Sequence, residues 1–344
     1  MNRRLNVTGQ PASVDELGAA LGSVLGGHFG GRCRVAQVTC RRSDYSSSFP
    51  LEELDVRLED GTVLELMLKD VGWQALLEEA RRAKPPFLYD PLREIETYRT
   101  VLAPDRLGTA VCYGAVVDED RGRYWLFLER VPGLRLAHVG EFVTWMQVAQ
   151  YLAVMHNSFA RKAGGAGRWL DYDRDYYWQW MRRAQAFVSG NESLRGDEGA
   201  GAIERVARRY EQVIERLLAL PKTLIHGEFY AANVLISETG GRLRICPVDW
   251  EMTAAGPGLM DLAALTCGTW SDDQKRALAL AYRGRLEPGA GWPPEPEPFL
   301  AALDLCRLHL AVQWLGWSLE WSAPPQQAWN WLAEAVRAAE KLGL

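Results

Sequence analysis

The chain has 344 residues, 48% of them apolar and 24% charged, with a net charge of −5. That is enough chain for two lobes and a real hydrophobic core, and too little positive charge to make nucleic acid an expected partner. No long uninterrupted apolar run, no apolar stretch behind the basic residues of MNRRLNVTGQPASVDELG and no CxxC among six scattered cysteines give the expectation of a cytoplasmic, enzyme-sized protein with reduced thiols and no membrane span.

Residues 1–34 are Gly-rich and weakly patterned, with one short helix expected over Val14–Leu25, and are set apart as an N-terminal extension. From Val35 the texture changes. VAQVTC reads as a strand and RRSDYSSS as a polar turn. LEELDVRL and TVLELMLK alternate on either side of Glu59-Asp60-Gly61, the pattern of a hairpin. A helical run, Trp73–Ala83, is broken by Lys84-Pro85-Pro86, and a second helix starts at Asp90 with Pro91 in its first turn. TAVCYGAVVD and RYWLFLER form another hairpin. Residues 35–131 are therefore a small sheet lobe, and 132–344 a larger helical one, with the change at Val131-Pro132-Gly133.

In the second lobe, helices are expected over Phe142–Phe159, over the aromatic-rich WLDYDRDYYWQWMRRAQAF and over Ile203–Leu220. A loop and hairpin follow, LIHGEFYAANVLISETGGRLRICPVDWE (Leu224–Glu251), and helices fill the remainder. His226-Gly227-Glu228 reads as a tight turn, Val234–Ile236 and Leu243–Val248 as the two strands, and Asp249 lies just past the second. Carboxylate and amide oxygens at the rim of rigid strands are what a hard divalent cation needs. Loop capping by Asn233 and Asp249 explains the residue types as well; the spacing carries more.

That spacing resembles the catalytic and metal-binding segment of kinase-like phosphotransferases. More narrowly, it resembles the aminoglycoside and choline phosphotransferase family, whose members show His-Gly-Asp, then Asn, then Asp-Trp/Phe-Glu. The resemblance runs from about Val35 to Trp321. It implies an α+β, two-lobed protein-kinase-like fold, with a small antiparallel sheet N-lobe and a larger, mainly helical C-lobe. It implies ATP between the lobes, with Mg²⁺ held by Asn233 and Asp249. Lys69 falls where the family keeps a phosphate-binding lysine, and Glu94 where its acidic partner stands, with Glu96 as the rival because only one can face inward on a helix. Ser46 and Ser47 lie in the turn expected over the phosphates, without a glycine-rich fingerprint. Glu129 to Val131 matches the connection where backbone groups meet adenine. Asp261 is expected to brace the catalytic loop from a helix start, and His156 to be structural.

One position departs from the family pattern. Glu228 stands where members carry the Asp that orients and deprotonates the acceptor hydroxyl. Both are carboxylates of similar acidity, but the extra methylene shifts the oxygen by roughly 1 Å, and a misplacement of that size costs on the order of 10²-fold in rate. The reading is a Mg-ATP-dependent kinase with a small-molecule hydroxyl acceptor, as monomer or homodimer. The alternative is a nucleotide-binding relative without transfer. Acceptor recognition is expected from the helical lobe, where Trp169–Trp180 and Trp314, Trp317 and Trp321 (one helix face) are candidates; core packing is the competing role for these rings.

Overall fold

The computed structural model describes residues 14–344, apart from 32, 46, 47, 106, 166, 195, 196, 290, 293, 294 and 323–328. Two compact units divide the chain. One comprises the chain up to Arg82 together with Tyr89–Pro132; the other comprises Ala83–Leu88 and Gly133–Leu344.

The first unit is built on a five-stranded antiparallel sheet. Its strands are β1 (Val35–Arg42), β2 (Leu51–Leu58), β3 (Val63–Asp70), β4 (Cys112–Asp118) and β5 (Arg123–Glu129), in the order β1-β2-β3-β5-β4. The Glu59-Asp60-Gly61 turn closes β2–β3, with Gly61 at φ 89° and the Asp60 carboxylate accepting from Thr62 N at 2.9 Å. Helix α1 (Val14–His28) lays Leu17, Leu21, Val24 and Leu25 against Leu54, Val56, Leu66, Trp125 and Phe127 of the sheet. Part of the segment set apart as an extension thus helps to form this unit's core. Fully burying each of those aliphatic side chains contributes about 1.5–3 kcal/mol.

Trp73–Ala83 is not one helix. A 3₁₀ turn, Trp73–Ala75, gives way to α2 (Glu78–Ala83), because Leu77 N donates to Ser48 O at 3.0 Å in place of a helical partner. Next comes α3 (Pro91–Glu96), capped by Asp90, whose side chain accepts from Leu92 N. It runs through a π-helical stretch, Thr97–Leu102, into α4 (Ala103–Asp105).

The second unit is mainly helical. It opens with β6 (Leu134–Arg135) and α5 (Phe142–Phe159), then β7 (Leu170–Asp171), α6 (Arg174–Gly190), α7 (Asp197–Leu218) and β8 (Lys222–Ile225). The hairpin β9 (Val234–Thr239) and β10 (Arg242–Pro247) follows, then β11 (Ala254–Pro257), α8 (Leu259–Leu265), α9 (Asp272–Arg283), α10 (Pro296–Trp317) and α11 (Trp331–Lys341). Its two small sheets run β10-β9-β6 and β7-β11-β8. The aromatic segment expected as one helix instead begins as strand β7, and α6 starts only after Asp173, which caps it by accepting from Tyr176 N at 2.8 Å. By length and composition α10 could cross a membrane, but 78% of its most apolar window is buried within the protein, as in a core helix.

Candidate active site

In the first unit, Lys69 lies on β3 between Leu51 of β2 and Leu126 of β5. Its Nζ meets Glu94 Oε2 at 2.6 Å, with the two side chains only 6% and 2% exposed. Glu94 is buried on α3, whereas Glu96 is half-buried, so of the two acids it is Glu94 that meets the lysine. A charge pair this far from water stands because each partner offsets the other's desolvation, and losing one partner leaves the other uncompensated. The Phe49 ring lies 5.5 Å from the ammonium. Glu129 closes β5: its Oε2 accepts from Val111 N at 3.1 Å while its own N donates to Val111 O. That ties it to the start of β4. Val131 is half-buried in the connector beyond it. Ser46 and Ser47 lie outside the described residues.

In the second unit, the motif forms a braced loop. Strand β8 delivers His226, which is fully buried. Its Nε2 donates to Val248 O at 2.9 Å and its Nδ1 accepts from Glu228 N at 3.3 Å, the pattern of a neutral imidazole protonated on Nε2, a tautomer assigned from its partners. Gly227 takes φ 83°, and a Cβ there would stand 2.3 Å from Met252 O. Only glycine fits that approach.

Asp261, in the first turn of α8 and fully buried, holds this loop from behind. Its Oδ2 accepts from His226 N at 2.7 Å and its Oδ1 from Gly227 N at 2.9 Å. His156 Nε2 donates to Oδ2 at 3.1 Å, and the Tyr282 hydroxyl donates to His156 Nδ1 at 2.8 Å. Asp261 and His156 therefore engage backbone and one another. Their geometry is that of a scaffold.

The Glu228 carbonyl accepts from Tyr230 N at 2.7 Å and from Asn233 Nδ2 at 3.1 Å, which fixes the turn and leaves the half-buried Glu228 side chain at its head. Commitment of Nδ2 leaves Asn233 Oδ1 as the amide's acceptor. Beyond the last β9–β10 pair, Val234 with Pro247, the ladder continues as Val248 N donates to Asn233 O at 2.9 Å. Asp249 follows one residue later at φ 68°, the one non-glycine residue with positive φ among those described. Asp tolerates this left-handed conformation better than most residues, and it turns the chain sharply at the ribbon's end. The motif thus brings Glu228, Asn233 and Asp249 to one loop and one strand end.

An amide oxygen and a carboxylate are hard donors. Among the described residues no three His, Cys, Asp or Glu side chains gather as a metal cage. A donor set of this size fits Mg²⁺ shared with phosphate oxygens and waters.

Two residues near the motif escaped the sequence reading. Lys84, read only as part of a helix break, pairs with Glu251; nothing local in the sequence signals it. Tyr230 is half-buried, and desolvation of its hydroxyl, then Cys267 and Glu228, push it well above its usual pKa. Its ring lies 5.5 Å from that of Trp314, which stacks on Trp331 at 5.3 Å and lies 5.8 Å from Trp321. Trp314, Trp317, Trp321 and Trp331 are all half-buried. Of the aspartates among the tyrosines, Asp173 caps α6 and Asp171 pairs with Lys222 at 3.0 Å.

A family model described as the phosphotransferase enzyme family matches residues 57–298, more than half of the chain. No curated protein matches the sequence at a significant level. Among solved structures, the chain is similar to a choline kinase from Cryptosporidium parvum Iowa II, with 13% identity over 89% of this chain and 88% of that one and a TM-score of 0.56. It is similar also to a microcompartment-associated aminopropanol kinase, at 18% identity over 88% and 90% of the two chains and a TM-score of 0.56. A third is a GDP complex of an aminoglycoside 2'-phosphotransferase variant of type IIIa, with 13% identity over 93% and 95% and a TM-score of 0.51. At such identities the likeness speaks for the fold, which is kinase-like: a five-stranded antiparallel sheet and a helical part. By its family match, the chain belongs to the phosphotransferase enzyme family.

Proposed function

We propose that this protein transfers the γ-phosphoryl group of ATP to a hydroxyl of a small molecule, an amino sugar, sugar, amino alcohol or related metabolite. One observation carries the reading. The Asn233–Val248 pairing extends the β9–β10 ribbon and sets an amide and a left-handed aspartate beside the Glu228 turn. Mg²⁺, when bound, neutralises charge on the phosphate oxygens. Asn233 Oδ1 and the Asp249 carboxylate are the groups to hold it.

Lys69, paired with Glu94, binds the α- and β-phosphates. Backbone groups from Glu129 to Val131 meet the adenine, and Ser46 and Ser47 contact phosphate. Glu228 accepts the acceptor's hydroxyl proton as that oxygen bonds to the γ-phosphorus and the bond to the β–γ bridging oxygen breaks. Phosphoryl transfer relies on positioning and electrostatics more than on a strong base, which supports a glutamate in this role. The aromatic face of Tyr230, Trp314, Trp321 and Trp331 is the proposed acceptor wall.

The test is a Mg-ATP turnover screen against pooled alcohols, amino sugars and sugars, read as the mass gain of a phosphoryl group on an acceptor. A gain that disappears without Mg²⁺ is expected. ATP binding with no acceptor modified in any pool would favour the second reading, a nucleotide-binding module in which Glu228 has replaced the catalytic aspartate.

A further inference from the structure

Glu251 follows Asp249 by two residues, within the 3₁₀ turn Trp250–Met252 for which Asp249 is the N-cap. Its carboxylate forms an ion pair with Lys84, 167 residues away in sequence, and the two side chains are 13% and 5% exposed. Lys84 belongs to Ala83–Leu88, the short segment that joins the second unit although the chain on both sides of it belongs to the first. More than charge seats the segment. Phe87 packs edge-on against Trp180 at 5.5 Å and Tyr176 at 6.3 Å, and Leu88 N donates to Pro85 O at 3.0 Å.

The turn that Glu251 belongs to is held at Trp250 by neighbouring groups. Trp250 Nε1 donates to Pro247 O at 3.1 Å, Thr253 Oγ1 donates to Trp250 O at 2.7 Å, and the His226 ring lies 4.5 Å from the indole. Lys84 adds a hold one residue further on. A left-handed aspartate persists only where its surroundings over-determine it. A desolvated ion pair is a weak source of stability in itself, since the cost of burying both charges offsets their attraction. What such a pair does supply is direction, because two buried charges tolerate few alternative placements.

We propose that Lys84 is a positioning residue for Asp249: through Glu251 it fixes the turn that sets the aspartate carboxylate. The inference rests on the reading of Asp249 as the magnesium ligand. Groups that orient metal ligands are worth about 10- to 100-fold in metal affinity or activity, which sets the size of the effect.

The test uses the full-length protein as wild type, Lys84→Met and the double variant Lys84→Met/Glu251→Gln. The double variant removes the lone buried carboxylate that could unfold the single one. Calorimetry measures ATP affinity across a Mg²⁺ titration, and amide hydrogen exchange follows residues 249–253 in the protein without metal or nucleotide. Both variants are expected to bind ATP like the wild type in the absence of Mg²⁺. Both should need about 10- to 100-fold more Mg²⁺ for the gain in affinity, and both should exchange faster over 249–253. The double variant should keep the wild-type melting temperature. Wild-type Mg²⁺ requirement and exchange in the double variant would overturn the positioning role alone. A wild type whose ATP affinity ignores Mg²⁺ would overturn it together with the reading of Asp249.

Discussion

Glu228, the proposed proton acceptor, stands at the head of a hydrogen-bonded turn. Its backbone is held by His226 Nδ1, Tyr230 N and Asn233 Nδ2, which fixes the point from which the side chain extends. If Glu228 takes the proton, Glu228→Gln should lower the transfer rate by about 10²–10⁴-fold, the usual worth of a positioned general base, with ATP affinity unchanged. Steady-state kinetics on the acceptor found by screening checks this. Lys69 and Glu94 invite a stability measurement. With 6% and 2% exposure, removal of one partner by Glu94→Ala should cost about 3–5 kcal/mol, seen as a lower urea midpoint. Both residues were singled out in the sequence because the resemblance places a lysine at the end of that strand and an acid at the start of the next helix. Lys84 was not. Its partner lies 167 residues away, and a lysine before two prolines carries no mark of burial.

Among the elements, the β9–β10 hairpin and the start of α8 frame the candidate site. The hairpin was readable from alternation and from its Gly240-Gly241 turn, and Asn233 and Asp249 fell at its open end as expected. The two-residue strands β6 and β7 were not readable. Each exists only through a distant partner, β6 with Leu235–Ile236 and β7 with Ala254–Ala255, and two residues show no periodicity of their own. Helix α8 bears on the site through one side chain. Asp261 accepts from two backbone amides and from His156. Asp261→Ala would leave two buried donors and one part-buried donor unmet, the buried ones at about 1–3 kcal/mol each. A loss of about 3 kcal/mol or more in denaturant unfolding is expected, with collapse of transfer activity. A change within about 0.5 kcal/mol, the range of ordinary surface substitutions, would contradict the brace.

Over the whole molecule, burial sets acid sensitivity. His309 is fully buried on α10, with its Nδ1 2.7 Å from the Tyr210 hydroxyl, and desolvation pushes its pKa from 6.5 to about 3. The native state refuses a proton that the unfolded chain takes up. This contribution to stability is therefore complete above pH 6.5 and is lost as pH falls from there toward 3. Between pH 7.5 and pH 5 the loss amounts to about 2 kcal/mol. Guanidinium unfolding at those two pH values should show it, and His309→Gln should flatten it.

The fold and the motif converge on one claim, that Asp249 binds Mg²⁺ together with the phosphates of ATP. Calorimetric titration of ATP into the wild type and Asp249→Asn, with and without Mg²⁺, tests it without knowledge of the acceptor. The wild type should bind ATP more tightly when Mg²⁺ is added, and Asp249→Asn should lose that gain while staying folded by circular dichroism. An undiminished Mg²⁺ effect in Asp249→Asn would contradict the claim.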